Sequence, residues 1–131
     1  MKYFAHVRQS IEGKWESHYL EDHLRAVASR AAQFAMPFGS SDWAELAGLW
    51  HDLGKYQQGF QEYIRTASGY EAHIETAPGR IDHSTAGAIH AYQQFGLKGR
   101  ILAYLIAGHH TGLLDWQSDT AGQKALAQRL D

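Results

Sequence analysis

Residues 42–54, which read DWAELAGLWHDLG, decide the fold predicted for this chain. Their apolar side chains recur at steps of three and four residues, as on the buried face of an amphipathic helix. These apolar residues are Trp43, Leu46, Leu49, Trp50 and Leu53. Asp42 is placed to act as the N-cap, Glu45 completes a capping box, and Gly54 is placed to end the helix. The segment therefore predicts a helix packed on a core.

The rest of the chain predicts more helices of the same kind. There are many alanines, few β-branched residues and only two prolines, which favours helix over sheet. Helical periodicity extends over residues 17–36, 56–67, 84–95 and 99–107, with a short helix expected within 121–130. Residues 1–15 are expected to form an extended or irregular lead-in with a turn at Gly13, and residues 68–82 a long loop. We therefore expect an all-α fold, a single compact helical bundle of one domain over residues 1–131.

Composition limits the possible function classes. The chain has 131 residues, a formal net charge of −2 and nine histidines, a high number for this length. The charge argues against a protein that grips nucleic acid by a broad basic surface alone, although bound metal ions would supply positive charge locally. Because cysteine is absent, a thiolate zinc site is excluded and a reducing, cytoplasmic location is expected. No secretory signal or membrane-spanning run is recognisable, so we expect no membrane partner.

The main candidate site consists of six histidine and aspartate residues: His23, His51, Asp52, His83, His109 and His110. All but His23 fall at or just beyond the ends of predicted helices, where a ligand is rigidly held yet close to the surface. Imidazole nitrogens and carboxylate oxygens are ligands with which hydrolases hold divalent transition metals. With two metals bound, Asp52 would bridge them, and the pair would activate a water for attack on a phosphodiester. The pattern therefore predicts a metal-dependent phosphohydrolase.

The remaining histidines and one tryptophan receive separate interpretations. A single buried histidine is more often a hydrogen-bonded core residue than a ligand, so we expect that role, or surface exposure, for His6, His18, His73 and His90. For His110 a place beside the metal shell, or on the surface, stays open as the alternative. Trp116 follows the His-His pair closely and is the aromatic residue expected to bind substrate by stacking on a nucleic-acid strand.

Four segments resemble motifs of the HD phosphohydrolase superfamily, whose pattern is H…HD…D. They are HLRAVA from His23, LWHDLGKYQQGFQEYI around His51 and Asp52, DHSTAGA around His83, and IAGHHTGL around His109 and His110. In this order and spacing they resemble the HD nuclease domain of the CRISPR-associated helicase-nuclease of type I interference systems. The resemblance covers most of the chain, to about Asp115.

The resemblance implies an α-helical, metal-dependent endonuclease or exonuclease that cleaves single-stranded DNA in CRISPR antiviral interference. It implies a first metal on His23, His51 and Asp52, and a second on Asp52, His83, His109 and His110. Asp52 and Lys55 would be catalytic, and Lys55 would contact the scissile phosphate or a metal-bound water; a solvated lysine is the alternative. The implied cofactors are one or two divalent ions among Mn, Fe, Ni, Co and Mg. The implied partners are single-stranded DNA, a helicase domain or subunit, and a guide-RNA surveillance complex.

The sequence departs from the family pattern at its last aspartate. That residue normally follows the His-His pair on a later helix and completes the first metal site, but only 21 residues follow His110. The remaining candidates are Asp115, Asp119 and Asp131, none of them in a recognisable motif. We therefore expect a C-terminally truncated domain, or else a shortened one with a weakened site. Two other functions stay open: an HD phosphohydrolase acting on nucleotides or cyclic nucleotides, and a catalytically weakened interaction module.

Overall fold

The computed structural model describes residues 2–66, 81–118 and 125–131. Helices dominate these residues, so the predicted all-α class is confirmed apart from one small hairpin. Its strands are β1, Phe4–Gln9, and β2, Trp15–Tyr19. The helices are α1, Leu20–Ala35; α2, Ser41–Trp50; α3, Gln58–Thr66; α4, Thr85–Phe95; α5, Arg100–Gly108; and α6, Leu126–Leu130. Short 3₁₀ turns cover Met36–Phe38, Leu53–Tyr56 and Gly96–Gly99.

The N-terminal residues form an antiparallel β-hairpin, so the lead-in over residues 1–15, expected to be extended or irregular, contains the extended strand β1. The helix expected from residue 17 is wrong at its start, because residues 17–19 belong to β2. In this hairpin His6 lies opposite His18. The turn predicted at Gly13 is confirmed, with a φ of 80° that suits glycine. A two-stranded hairpin is marginal by itself. Here β1 packs on α1 and α3, contacts between distant segments that local periodicity does not reveal.

Helices α1 and α2 pack against each other but have different ends from those expected. α1 begins at Leu20, because the residues before it belong to β2. α2 begins one residue before Asp42, which therefore lies inside the first turn, and the predicted capping box is wrong. α2 also ends at Trp50 and not at Gly54. Because the helix ends at Trp50, four residues before the expected Gly54, His51 and Asp52 lie in a turn, where their side chains can contact other elements of the fold.

The largest buried cluster joins α4, α5 and α6. Its members are Ala88, Ala91, Leu102, Ala103, Ile106, Ala107 and Leu126. Trp50, at the end of α2, packs against this cluster. Gly87 permits the approach, since a Cβ there would lie 1.9 Å from the carbonyl oxygen of Trp50. The absence of a side chain at Gly87 thus brings the end of α2 against the start of α4.

Two predicted segments need separate mention. The long loop expected over residues 68–82 lies almost entirely outside the described residues. The C-terminal helix is confirmed as α6, although the described helix covers only Leu126–Leu130. Within residues 2–66, 81–118 and 125–131, no helix has the length and apolar character needed to cross a membrane.

Candidate metal centre

All six residues predicted as metal ligands lie together. They come from the first turn of α1, the end of α2, the residue just before α4's N-cap, and the end of α5: His23, His51, Asp52, His83, His109 and His110. Their ligand atoms fall into two groups, and within each group every atom lies within 4.8 Å of the others. Asp52 belongs to both groups. The geometry is therefore that of two neighbouring sites with one shared carboxylate.

The first group is built around one oxygen of Asp52. Asp52 Oδ2 lies 3.1 Å from His51 Nε2 and 3.2 Å from His23 Nε2. The two imidazole nitrogens are themselves 3.3 Å apart. Two ring nitrogens and one carboxylate oxygen thus converge on a single small volume, as a divalent transition metal requires.

The second group is built around the other oxygen of the same carboxylate. Asp52 Oδ1 lies 3.2 Å from His109 Nε2 and 3.3 Å from His83 Nε2. The Nε2 atoms of His83 and His110 are 2.9 Å apart. Each oxygen of Asp52 therefore faces its own set of imidazoles, which is the arrangement of a carboxylate that bridges two ions.

Backbone carbonyls fix the orientation of two of these rings. His51 Nδ1 donates to the carbonyl oxygen of Gly48 at 2.6 Å, and His109 Nδ1 donates to that of Ile106. With the proton on Nδ1, the Nε2 lone pair of each neutral ring points at the carboxylate of Asp52. Lone pairs facing a carboxylate repel unless a cation lies between them. Metal-binding histidines are held in this way in proteins, with the second nitrogen donating to a carbonyl or carboxylate.

The carboxylate of Asp52 is buried, with a relative exposure of 3%. Burial by itself raises its pKa, but contacts with the imidazoles of His109, His23 and His51, and then the charge of Lys55, hold the pKa well below its usual range. Among the described residues Oδ1 has no hydrogen-bond partner. A buried anionic oxygen without a hydrogen bond is costly. The donor set and this oxygen together fit a divalent metal.

The pKa of His51 shows that a proton can take the place of a metal ion beside Asp52. Burial lowers the pKa of His51, but the hydrogen bond to Asp52 and the negative charge of Asp52 raise it by more, so the net pKa lies above its ordinary value. A proton on Nε2 then occupies the space between ring and carboxylate. Metal binding at this centre therefore competes with protons.

Lys55 lies at the centre, as predicted, but it is not a solvated lysine. It stands in the 3₁₀ turn after Asp52 with a relative exposure of 5%. Its Nζ is 3.2 Å from Asp52 Oδ2 and donates to the carbonyl oxygen of Ala5 at 3.2 Å. The positive charge of the ammonium group thus stabilises the buried carboxylate of Asp52. Contact of Lys55 with a phosphate or a metal-bound water stays a prediction.

Two residues that the sequence reasoning missed hold His83 in place. Gly54 donates its N–H to the carbonyl oxygen of His83 at 3.0 Å. Asp82 Oδ1 accepts the N–H groups of Ser84 and Thr85 at 3.0 and 3.2 Å, so its carboxylate caps the start of α4. Burial raises the pKa of Asp82, but these hydrogen bonds and those from the Ser84 and Thr85 hydroxyls lower it by more. An aspartate two residues before Ser-Thr at a helix start is a recognisable turn signal, because its side chain can accept the backbone N–H two residues further on.

Trp116 and the candidate replacement aspartates do not join the centre in the described residues. The half-buried indole of Trp116 packs against the α4–α5 core, and the guanidinium of Arg100 lies 3.6 Å from its ring centroid. One ring face is therefore already covered, which gives the stacking role no support and leaves it a prediction. Asp115 is exposed and belongs to no described ligand group, and the exposed Asp131 likewise belongs to none. Asp119 lies outside the described residues.

Two histidines expected to be plain core or surface residues lie beside the centre. His6 on β1 and His18 on β2 form a third ligand group with His23. Burial first, and then the nearby His18, His23, Lys55 and Arg8, lower the pKa of His6. The half-buried His90 contacts Trp50, with the two ring centroids 4.6 Å apart and the rings nearly perpendicular, and its expected core or surface role stays a prediction. His73 lies outside the described residues.

Comparison with known families agrees with this geometry. The sequence model of the HD domain matches residues 20–131, a range that includes all six clustered ligands. HD domains are helical folds and are generally metal-dependent phosphohydrolases. A search of curated proteins finds no match to the chain. The extent of the family match and the His/Asp centre lead to one conclusion: the chain belongs to the HD domain family.

Proposed function

We propose that this chain is a metal-dependent nuclease domain that hydrolyses phosphodiester bonds of single-stranded DNA. The observation that carries the proposal is the shared carboxylate of Asp52, whose two oxygens face two separate sets of imidazoles at 3.1–3.3 Å. When bound at such a pair of sites, divalent ions activate water and neutralise the charge of the phosphodiester. The imidazole-rich donor set favours Mn, Fe, Co or Ni, with Mg as the harder alternative.

The residues of the chain have distinct tasks in this proposal. His23 and His51 would hold one ion with Asp52 Oδ2, and His83, His109 and His110 the other with Asp52 Oδ1. Lys55 would keep the buried carboxylate of Asp52 ionised, and an ionised Asp52 would bind the metal ions. The protein thereby supplies fixed charges that need no rearrangement during the reaction.

Exposure at the centre favours a polymeric substrate. Asp52 and His83 form the buried floor, with side-chain exposures of 4% and 1%. The rings of His109, His23 and His51 are 21%, 20% and 16% exposed. The exposed residues after His109 flank this open side. A centre that is open on one side can receive a phosphodiester within a continuous strand, whereas a nucleotide hydrolase needs a closed, base-specific pocket.

The finer identity rests on the four sequence segments described above. They support an HD nuclease domain over residues 1–131 of the type found in CRISPR type I helicase-nucleases, acting with a helicase domain or subunit and a guide-RNA surveillance complex. Exposed apolar side chains in the last turn of α1 and in the 3₁₀ turn after it are compatible with such partners, since Phe34, Met36 and Phe38 have relative exposures of 75%, 66% and 72%. A cytoplasmic site of action follows from the same proposal.

The experiment is cleavage of circular single-stranded DNA by the Mn²⁺-loaded chain, with double-stranded DNA, nucleotides and cyclic nucleotides assayed alongside. We expect nicking of the single-stranded circle. The Asp52→Asn variant should lose at least about 100-fold in rate, because even the hydrogen-bond partners of metal ligands are worth about 10–100-fold. Asp42→Asn, a substitution of an exposed aspartate on α2, is the matched control and should cleave normally.

Three outcomes would overturn parts of the proposal. Equal cleavage by wild type and Asp52→Asn would remove Asp52 from the chemistry. Turnover of nucleotides or cyclic nucleotides without DNA cleavage would make the chain a small-molecule phosphohydrolase. Bound ions without any turnover would make it an interaction module.

A further inference from the structure

A third cluster of imidazoles lies on the hairpin side of the centre. His6 and His18 are opposite each other on β1 and β2, and His6 Nε2 lies 3.3 Å from His18 Nδ1. His23, one turn into α1, faces both rings, with centroid distances of 5.8 Å to His6 and 5.6 Å to His18. One nitrogen from each ring lies within 4.8 Å of the other two. Three potential nitrogen ligands therefore converge.

A hydrogen bond accounts for only part of this arrangement. One N–H···N bond can join His6 and His18, and His23 Nε2 already contacts Asp52 Oδ2, so neither interaction links His23 to the two hairpin rings. No carboxylate belongs to the ligand group of these three rings, and protonation would make the rings repel one another. A cation that accepts three nitrogen lone pairs satisfies all three rings at once. His6 and His18 also lie outside residues 20–131, the part of the chain matched by the HD family.

We propose that His6, His18 and His23 form an additional binding site for a divalent transition metal. Its three nitrogen donors suit Zn²⁺, Co²⁺, Ni²⁺ or Cu²⁺ and not Mg²⁺ or Ca²⁺, which prefer oxygen ligands. The site is separate from the Asp52-centred pair, since neither His6 nor His18 falls into a ligand group with Asp52. The two centres share only His23, and occupancy of one therefore affects the other. This site does not depend on the proposed nuclease function.

The test is metal binding by the full chain carrying Asp52→Asn and His109→Gln, which remove the carboxylate common to both HD groups and one of the three imidazoles of the second group. Co²⁺ and Zn²⁺ are titrated separately by calorimetry, and the visible d–d spectrum of Co²⁺ reports its ligands. We expect one ion to remain bound in this background. Adding His6→Gln or His18→Gln should raise the dissociation constant at least about 10-fold, since each removes one of three ligands. His90→Gln in the same background is the control and should bind like its parent.

Loss of all binding in the chain with Asp52→Asn and His109→Gln, or unchanged binding after His6→Gln and His18→Gln are added to it, would overturn the site. Circular dichroism of each variant identifies any that fail to fold. A second measurement avoids substitutions in the cluster altogether. In the chain with Asp52→Asn and His109→Gln, diamagnetic Zn²⁺ should shift the imidazole NMR signals of His6 and His18, and not that of His90. Unaltered His6 and His18 signals at saturating Zn²⁺ would equally contradict the proposal, whatever the chain does to DNA.

Discussion

Gly54 meets the backbone of His83 with no space between them for a side chain. Its N–H donates to the carbonyl oxygen of His83 at 3.0 Å, and a Cβ on Gly54 would lie 2.2 Å from that same oxygen. This contact joins the turn after the His-Asp pair to the segment that carries another ligand. The distance between two parts of the metal centre is thus set by a residue that offers no ligand itself.

Gly54→Ala should therefore damage both folding and metal binding. The added methyl group collides with backbone, which moves less readily than a side chain, so we expect a loss of about 3 kcal/mol in the free energy of unfolding. Urea denaturation gives this number. Gly59→Ala is the control, since a Cβ there meets only Ile81 Cδ1 at 3.9 Å, and it should stabilise α3 by up to about 1 kcal/mol. Equal stability of the two variants would refute the contact.

Lys55→Met should destabilise the metal-free protein more than the metal-loaded one. Without metal, the ammonium group is a positive charge close to the buried carboxylate of Asp52, and removing one partner of such a pair costs about 3–5 kcal/mol. With metal bound, the ions supply that charge, so the cost should shrink. Thermal unfolding with Mn²⁺ and with chelator measures both. Lys98→Met removes an exposed lysine and should have little effect in either state. A larger loss with Mn²⁺ than with chelator would contradict this role of Lys55.

Asp82→Ala should shorten or fray the start of α4 and weaken metal binding through His83. Its carboxylate accepts two backbone N–H groups, and loss of such a cap costs about 0.5–2 kcal/mol. Asp82→Asn keeps one acceptor oxygen and should recover most of the stability. Chemical denaturation measures the free energy of unfolding, which reports the cap, and titration with Mn²⁺ measures the metal affinity, which reports His83. If Ala and Asn behave alike in both, the carboxylate does not cap the helix.

Gln61→Leu should detach the hairpin from the helices. The buried amide of Gln61 bonds both the N–H and the carbonyl oxygen of Phe4 at 2.9 Å, and the carbonyl oxygen of Lys55 at 2.7 Å. Leucine has a similar volume but leaves these groups unpaired, at about 1–3 kcal/mol each when buried. Hydrogen exchange should show faster exchange in β1. Gln58→Leu, which removes only an exposed bond to Glu62, serves as comparison and should leave β1 protected.

The sequence predicted the helices, and the histidine and aspartate residues that lie together, because both depend on local signals. Apolar spacing indicates where α2 to α5 lie, and histidine beside aspartate at a helix end indicates metal. The ends of α2 were less predictable, because the close approach of Gly54 to His83 comes from tertiary packing and not from helix propensity. The sequence also could not reveal the burial of Lys55, since its partner Ala5 lies 50 residues away.

The hairpin histidines were missed for a related reason. His6 and His18 are isolated in sequence, and only the strand register brings them opposite each other and against His23. The stacking role of Trp116 rests only on its closeness in sequence to the ligand pair and stays a prediction; in the structure, Arg100 and core residues surround its indole. Proximity in sequence is a weak guide to exposure for large aromatic residues, which usually bury most of their surface.

The attachment of the hairpin has a consequence for how the chain folds during synthesis. β1 leaves the ribosome before Lys55 and Gln61, which bond its backbone and follow 50 and 57 residues after their partners in β1. A hairpin of two strands is not stable alone in water. β1 therefore lacks these hydrogen-bond partners until α3 has been translated. Slowing translation before residue 61 would lengthen the time for which this edge is open to proteases and to other nascent chains.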